Sequence, residues 1–244
     1  MIVGTANIEK LAESAPTIDH YLKDTVEFEG VTCFQMTVEM RKCAREAVLP
    51  PGLHPTIPAA ISFQVWEVEN SIWGPFTAAI CRITCRSGVR ARGFTSAAYV
   101  SVEEVSKEFA GSFGFPSEVA DIRFRHSYDG VDIQLIRSGK EILSVSSLDP
   151  EPMGLNDVQY TGNMNLAHTP NGLRLVQLEV NHAATRVERL TSRLISFDPL
   201  AWGNELLDPY HMVSSSIASE TISIPPVRFI CKPDELAFTG TESI

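Results

Sequence analysis

The chain has 244 residues, 44% of them hydrophobic, and carries 20 Lys+Arg against 30 Asp+Glu for a formal net charge of -10. Such a chain can bury a sizeable core, and all-β chains of this length commonly fold as one domain. The acidic balance and the lack of any basic run longer than two residues exclude nucleic acid and anionic membrane surfaces as natural partners, because both reward clustered Lys and Arg. No apolar stretch approaches the ~18 residues of a membrane-crossing helix. The opening MIVGTANIEKLAES does not read as a signal peptide, so a cytoplasmic setting is expected.

Residues 1–24 lack a strong period and read as an arm or short helix that packs on the domain or on a neighbouring subunit. Residues 31–38, VTCFQMTV, are β-branched and apolar and read as a strand. Residues 39–48 place Met40, Cys43, Ala44 and Ala47 at helical spacing and predict a short helix, ended by Pro50-Pro51-Gly52. Strands are predicted over 59–68, 76–86 and 92–100. Ser101 followed by Glu104 has the form of a helix cap, and the helix it opens is expected to stop at Gly111. From 119 to 147 the residues alternate about turns at Tyr128-Asp129-Gly130 and Ser138-Gly139, which predicts a meander. A polar loop is expected at 148–157 and a strand pair about Pro170-Asn171-Gly172. Residues 186–197 fit strand or helix, and 199–210 a loop with a helical turn. The last strand pair is 211–217 and 221–231, interrupted near Ser219-Glu220.

Many short strands joined by Gly-bearing turns define a mainly β (α+β) fold of antiparallel sheets, closed as a barrel or sandwich, with a few short helices. With no repeat, low-complexity run or linker, residues 1–244 read as a single domain. The five cysteines are too few and odd in number for a disulfide framework. On a strand, Cys81 and Cys85 stand roughly 13 Å apart, too far to bridge. No phosphate-binding loop, GxGxxG, HExxH or GxSxG occurs, and the six histidines are dispersed. No metal and no cofactor are therefore expected, leaving only a site assembled from distant positions.

Three stretches together give the chain a recognisable likeness. The first runs from Ala47 through Val48, Leu49, Pro50, Pro51, Gly52 and Leu53. The second is VEEVSKEFAGSFGFP at 102–116. The third combines Asn171-Gly172, Leu194 to Phe197, a Leu-Asp-Pro, Val213-Ser214-Ser215-Ser216 and Ile224-Pro225. In order and spacing they resemble the acetoacetate decarboxylase-like family over residues 26–232. The resemblance implies a cone-like β-barrel with a cavity inside, a small-molecule substrate and assembly into homo-oligomers. It also implies two adjacent lysines in the loop before a Gly-Tyr/Phe-Pro stop, one forming a Schiff base and the other lowering its neighbour's pKa. Aligned through Phe113-Gly114-Phe115-Pro116, those positions are Gly111 and Ser112, and neither forms an imine. Lys107, one turn earlier, is either a relocated amine or a solvated lysine beside Glu103, Glu104 and Glu108, whose charges would raise its pKa.

The resemblance further places family carboxylates at Glu69 and at Gln64. Glu69 would serve as general acid/base with its pKa raised by burial, or is merely a turn carboxylate, while Gln64 would donate to a carbonyl or enolate oxygen. Trp66 lines a cavity or belongs to the core, and Ser112 bonds substrate or only fills space. Arg123 and Arg125 share one strand face and either grip a carboxylate or form a polar exterior. The expected function is a lysine-independent enzyme of this fold, of lyase, cyclase or isomerase type. It would act on a small carbonyl or polyketide-type molecule, such as natural-product biosynthesis supplies. The alternatives are a non-catalytic small-molecule-binding protein and a residual β-keto acid decarboxylase.

Overall fold

The computed structural model describes residues 2–41 and 44–244. Its elements are α1 (Ile8–Glu13), β1 (Val26–Met40), β2 (His54–Pro55), β3 (Ala60–Asn70), β4 (Phe76–Ser87), β5 (Arg90–Val100), α2 (Glu103–Phe113), β6 (Ser117–Val119), β7 (Asp121–His126) and β8 (Gly130–Arg137). They continue as β9 (Lys140–Pro152), β10 (Gly162–Thr169), β11 (Gly172–Leu178), β12 (Asn181–Phe197), β13 (Pro209–Ile224), β14 (Phe229–Cys231), α3 (Ala237–Gly240) and β15 (Thr241–Ser243).

All strands belong to one sheet of order β15-β14-β11-β10-β5-β4-β3-β1-β13-β12-β9-β8-β7, with β2 on β4 and β6 on β5. Pairing is antiparallel except for β10 and β6, which run parallel to β5. The path curls far enough to bring β7 against β4, although among the described residues no ladder joins the two. The fold is thus mainly β with a few short helices, as the sequence predicts. No described helix is long and apolar enough to cross a membrane.

The central strands are covered on both sides. In β3 every residue from Ala60 to Trp66 is buried. Alternation sends Ile61, Phe63 and Val65 to one core, with Phe34 and Met36 of β1 and Cys81 and Ile83 of β4. It sends Trp66 and Val68 to a second core, with Cys33 of β1 and Ala78 and Ile80 of β4. A bulge in β1 sets this register. Gly30 has φ +61, and pairing with β13 shifts between Phe28 and Val31. Val26 and Phe28 therefore face the same core as Val31 and Cys33 despite opposite parity.

The second core is roofed by α2. Phe109 lies 5.4–6.4 Å, ring centre to ring centre, from Phe28, Trp66, Trp73, Phe76, Phe113 and Phe115. These are distances at which tilted and edge-on aromatic pairs attract.

Several local expectations change. Ser101 does not cap α2; its hydroxyl accepts from Thr77 N at 2.9 Å, and Val102 is the capping residue. The helix also runs past Gly111 to Phe113, and left-handed Gly114 (φ 69) ends it. Among the described residues of 39–48 no helix forms: Glu39 and Met40 extend β1, and 44–48 form turns. Lys42 and Cys43 lie outside the described residues. The loop predicted at 148–157 begins only at 153, and 186–197 resolves as strand β12. The break expected near Ser219-Glu220 does not occur: both residues lie inside β13, which runs unbroken to Ile224, and 229–231 form the separate strand β14.

Phe109→Ala would open a cavity at the meeting point of these rings. A loss of about 3–5 kcal/mol in unfolding free energy is expected, read from urea unfolding by near- and far-ultraviolet circular dichroism.

Candidate active site

The face of β1, β3, β4 and β13 that carries the second core turns polar along its length. Strand pairing aligns the change in rungs. Arg82, Ser62, Thr37 and Ser214 form one, and Gln64, Gln35 and Ser216 the next. Beyond these stand Trp66, Cys33 and Ala218, then Val68, Val31 and Glu220. Residues 153–161, between β9 and β10, cross over this face and enclose a cavity of about 440 Å³ whose walls include Gln35, Ser62, Gln159, Thr161, Arg189 and Ser214. Besides a backbone bond from Met153 N to the Val187 carbonyl, three bonds to side chains of the sheet tie the crossing segment down. Gln35 Nε2 donates to the Gln159 carbonyl at 3.1 Å, Arg82 Nη1 to the Thr161 carbonyl at 2.9 Å, and the Tyr160 hydroxyl to Glu220 Oε2 at 2.8 Å.

Arg82 is 1% exposed and sits directly behind Ser62 and Thr161. Its Nη1 also donates to Asn163 Oδ1 at 3.0 Å and its Nη2 to Ser62 Oγ at 3.2 Å, while Nε has no partner. Every acceptor is neutral. Burial pulls its pKa down to about 10, so at neutral pH a guanidinium cation is held inside the protein with no anion against it. Gly93 makes room for its stem, since a Cβ there would stand 2.9 Å from Arg82 Cδ. A buried charge of this kind is costly to keep, which marks it as a candidate ligand anchor.

Farther along the face Glu220 is enclosed; its side chain is 0% exposed. Tyr160 donates to Oε2, and His182 Nδ1 lies 2.8 Å from Oε1, donating in the tautomer that carries its proton there. The Tyr160 and His182 rings stack 3.7 Å apart at 6°. Burial, reinforced by Cys33 and Glu220, pushes the Tyr160 phenol well above its usual range and keeps it protonated. Burial and the Glu220 charge likewise push Cys33 up, against a smaller opposing effect of Arg82. A carboxylate, a phenol and an imidazole locked in one chain of hydrogen bonds can accept and return a proton without bulk water.

The residues singled out from the sequence scatter about this arrangement. Gln64 lies within it, buried, with Nε2 donating to Gln35 Oε1 at 2.8 Å. Trp66 is fully buried beside Cys33 in the second core. Glu69 lacks the burial assigned to it: it is exposed at the end of β3 against Gly30, one residue past Val68, the last buried residue of the strand. Ser112 donates to Glu108 on the exposed side of α2, and Gly111 is exposed next to it. Arg123 is bound to Asp121 at 3.0 Å, and Arg123 and Arg125 border an outer groove of about 320 Å³ with Asp132 and Ile195. The polar-exterior reading describes that face. Glu220, Tyr160, His182 and Arg82 were missed. Arg82 was legible as a lone cation inside the apolar run 78–83, whereas Glu220 read as a break in a strand.

No lysine flanks Gly114-Phe115-Pro116 on either side, where the neighbours are Gly111-Ser112-Phe113 and Ser117-Glu118-Val119. Lys107 is exposed and paired with Glu103 at 2.7 Å, which raises its pKa.

The family model for acetoacetate decarboxylase (ADC) matches residues 14–202, and the chain belongs to that family. Its fold is similar to that of acetoacetate decarboxylase from Legionella pneumophila subsp. pneumophila str. Philadelphia 1, at a TM-score of 0.74 and 16% identity over 88% of each chain. It is also similar to the enduracididine biosynthesis enzyme MppR complexed with pyruvate, at a TM-score of 0.68 and 18% identity over 85% of this chain and 90% of that one. An acetoacetate decarboxylase-like enzyme from Sphingomonas wittichii RW1 aligns at a TM-score of 0.65 and 14% identity, covering 84% of this chain and 92% of its own. No curated protein sequence matches the chain.

Tyr160→Phe removes the tie that a side chain of the 153–161 segment itself makes to the sheet. A hydrogen bond to a charged group contributes about 1.5–3 kcal/mol. A loss of that order in chemical denaturation is expected, together with faster limited proteolysis within 153–161.

Proposed function

We propose that this protein is a lysine-independent acid–base enzyme of the acetoacetate decarboxylase-like fold, acting on a small molecule that bears an enolisable carbonyl. The observation that carries the reading is the buried Glu220 carboxylate, with Tyr160 and His182 each 2.8 Å from one of its oxygens, on the same strand face as an unpaired buried arginine.

Glu220 is the proton acceptor, and Tyr160 with His182 relays the proton back. Gln64, whose amide has a second N–H beyond the one given to the cavity-lining Gln35, stands behind that residue as a donor for a developing enolate oxygen. Arg82 supplies positive charge behind that wall, where exclusion of water strengthens it. Such a set needs no covalent amine. It suits enolisation and the dehydrations or cyclisations that follow from an enolate, which fits a polyketide-type substrate in natural-product biosynthesis. The pyruvate complex of the similarly folded MppR supports a small oxo compound as the substrate class.

The absence of a lysine beside Gly114-Phe115-Pro116 and the exposed ion pair of Lys107 speak against an imine. Nothing in the buried cluster favours a purely binding role, for which a proton relay is unnecessary.

Two experiments test this. Borohydride reduction in the presence of pyruvate, acetoacetate and related oxo acids, read by intact mass spectrometry, is expected to leave the mass unchanged; a reduced adduct on any lysine would overturn lysine independence. Exchange of α-protons for deuterium in a panel of small ketones and oxo acids, followed by NMR, is expected to be catalysed by the native protein. Glu220→Gln should slow it by about 10²–10⁴-fold, the usual contribution of a positioned acid or base. Equal exchange rates in native and variant protein would sink the assignment of Glu220.

A further inference from the structure

Glu220 has a third neighbour that the proton relay does not use. The Cys33 sulfur, a ring nitrogen of His182 and a Glu220 oxygen all lie within 4.8 Å of one another. Cys33 reaches this point from β1, His182 from β12 and Glu220 from β13. The strands are locked in register by adjacent ladders, Cys33 beside Ala218 and His182 beside Ile222, so the three groups are held by backbone rather than by a loop.

We propose that Cys33, His182 and Glu220 form a site for a thiophilic divalent cation, zinc being the best match, and that the ion switches the acid–base cluster off. Thiolate, imidazole and carboxylate are the ligands zinc takes, at bonds of about 2.0–2.3 Å, and the present spacing needs only a small inward movement of the side chains. Calcium and magnesium demand a cage of oxygens that one carboxylate does not provide.

Charge argues the same way. The cluster alone holds one buried negative charge on Glu220. Binding proceeds as M²⁺ plus the Cys33 thiol giving a metal–thiolate bond and one released proton, while the His182 proton moves to Nε2 and frees Nδ1. The product is neutral: two positive charges on the ion against one thiolate and one carboxylate. A neutral product is what a dry interior tolerates best.

A second observation concerns Trp66. Its Nε1–H is buried beside Cys33 and has no hydrogen-bond partner among the described residues. A protonated thiol is a poor acceptor, but a metal-bound thiolate sulfur would take this bond, as the groups behind metal ligands commonly provide.

Metal on Glu220 occupies the lone pairs that would accept the substrate proton. The inhibitory consequence rests on the acid–base reading above; the binding does not. The test uses the full-length reduced protein. Competition with a chromogenic chelator is expected to show stoichiometric zinc, and cobalt in its place to give a near-ultraviolet sulfur-to-metal band. Cys33→Ser should abolish the band and weaken zinc by at least roughly tenfold, a direct ligand being worth no less than the partners behind one, whose loss costs about 10–100-fold. His182→Gln should weaken zinc similarly, so the outcome does not hang on one variant folding. No stoichiometric zinc, or binding undiminished in both variants, overturns the site. In the deuterium-exchange assay, zinc should stop native turnover and leave the Cys33→Ser protein active. Zinc bound with turnover unchanged overturns the switch. Zinc bound to a protein that exchanges nothing upholds the site and removes the acid–base reading instead.

Discussion

Burial of β1, β3 and β4 on both faces governs the rest of the molecule. A strand with one wet face can leave a polar side chain to the solvent. A strand sandwiched between two cores cannot, and each polar residue it carries must find its partner inside. Gln35, Gln64, Ser62 and Arg82 therefore point at one another and at the segment that covers them. The functional face is what remains where the second core stops being apolar. Its position follows from the bulge at Gly30, which decides which residues of β1 share a side with Cys33 and Gln35.

Much of the architecture was legible in the residues. Alternation, β-branched runs and Gly-bearing turns marked β3, β4, β5 and the β7–β8–β9 meander, because those strands obey the two-residue period. Elements failed where a tertiary contact overrode a local signal. Ser101 has the residue type of a helix cap, yet its hydroxyl is taken by a backbone N–H of β4. Residues 39 and 40 have helical spacing, yet β13 and β3 offer a ladder that extends β1.

The site was less legible, for one reason in two forms. Family likeness drew attention to Glu69, but it lies one residue past Val68, the last buried position of β3, and the carboxylate meets water. Glu220 looked like an interruption, since a charged residue inside Ser-Glu-Thr between apolar runs resembles a turn. It is tolerated in mid-strand only because Tyr160 and His182 arrive from elsewhere in the chain, 60 and 38 residues away. No local pattern encodes that meeting. Gln64 came from the same likeness as Glu69, and it is buried because it lies on the stretch of β3 that both cores still cover.

The segment over the cavity is attached in an uneven way. Of its three ties to side chains of the sheet, two end on the backbone carbonyls of residues 159 and 161, which every amino acid possesses, and one on the hydroxyl of Tyr160. The side chains at 159 and 161 are thus spectators to their own anchoring. Evolution can rewrite them, and with them the shape and polarity presented to a guest, while the strap stays fastened by residues that belong to the sheet. A family that keeps one scaffold and changes what it accommodates has here a place to do so.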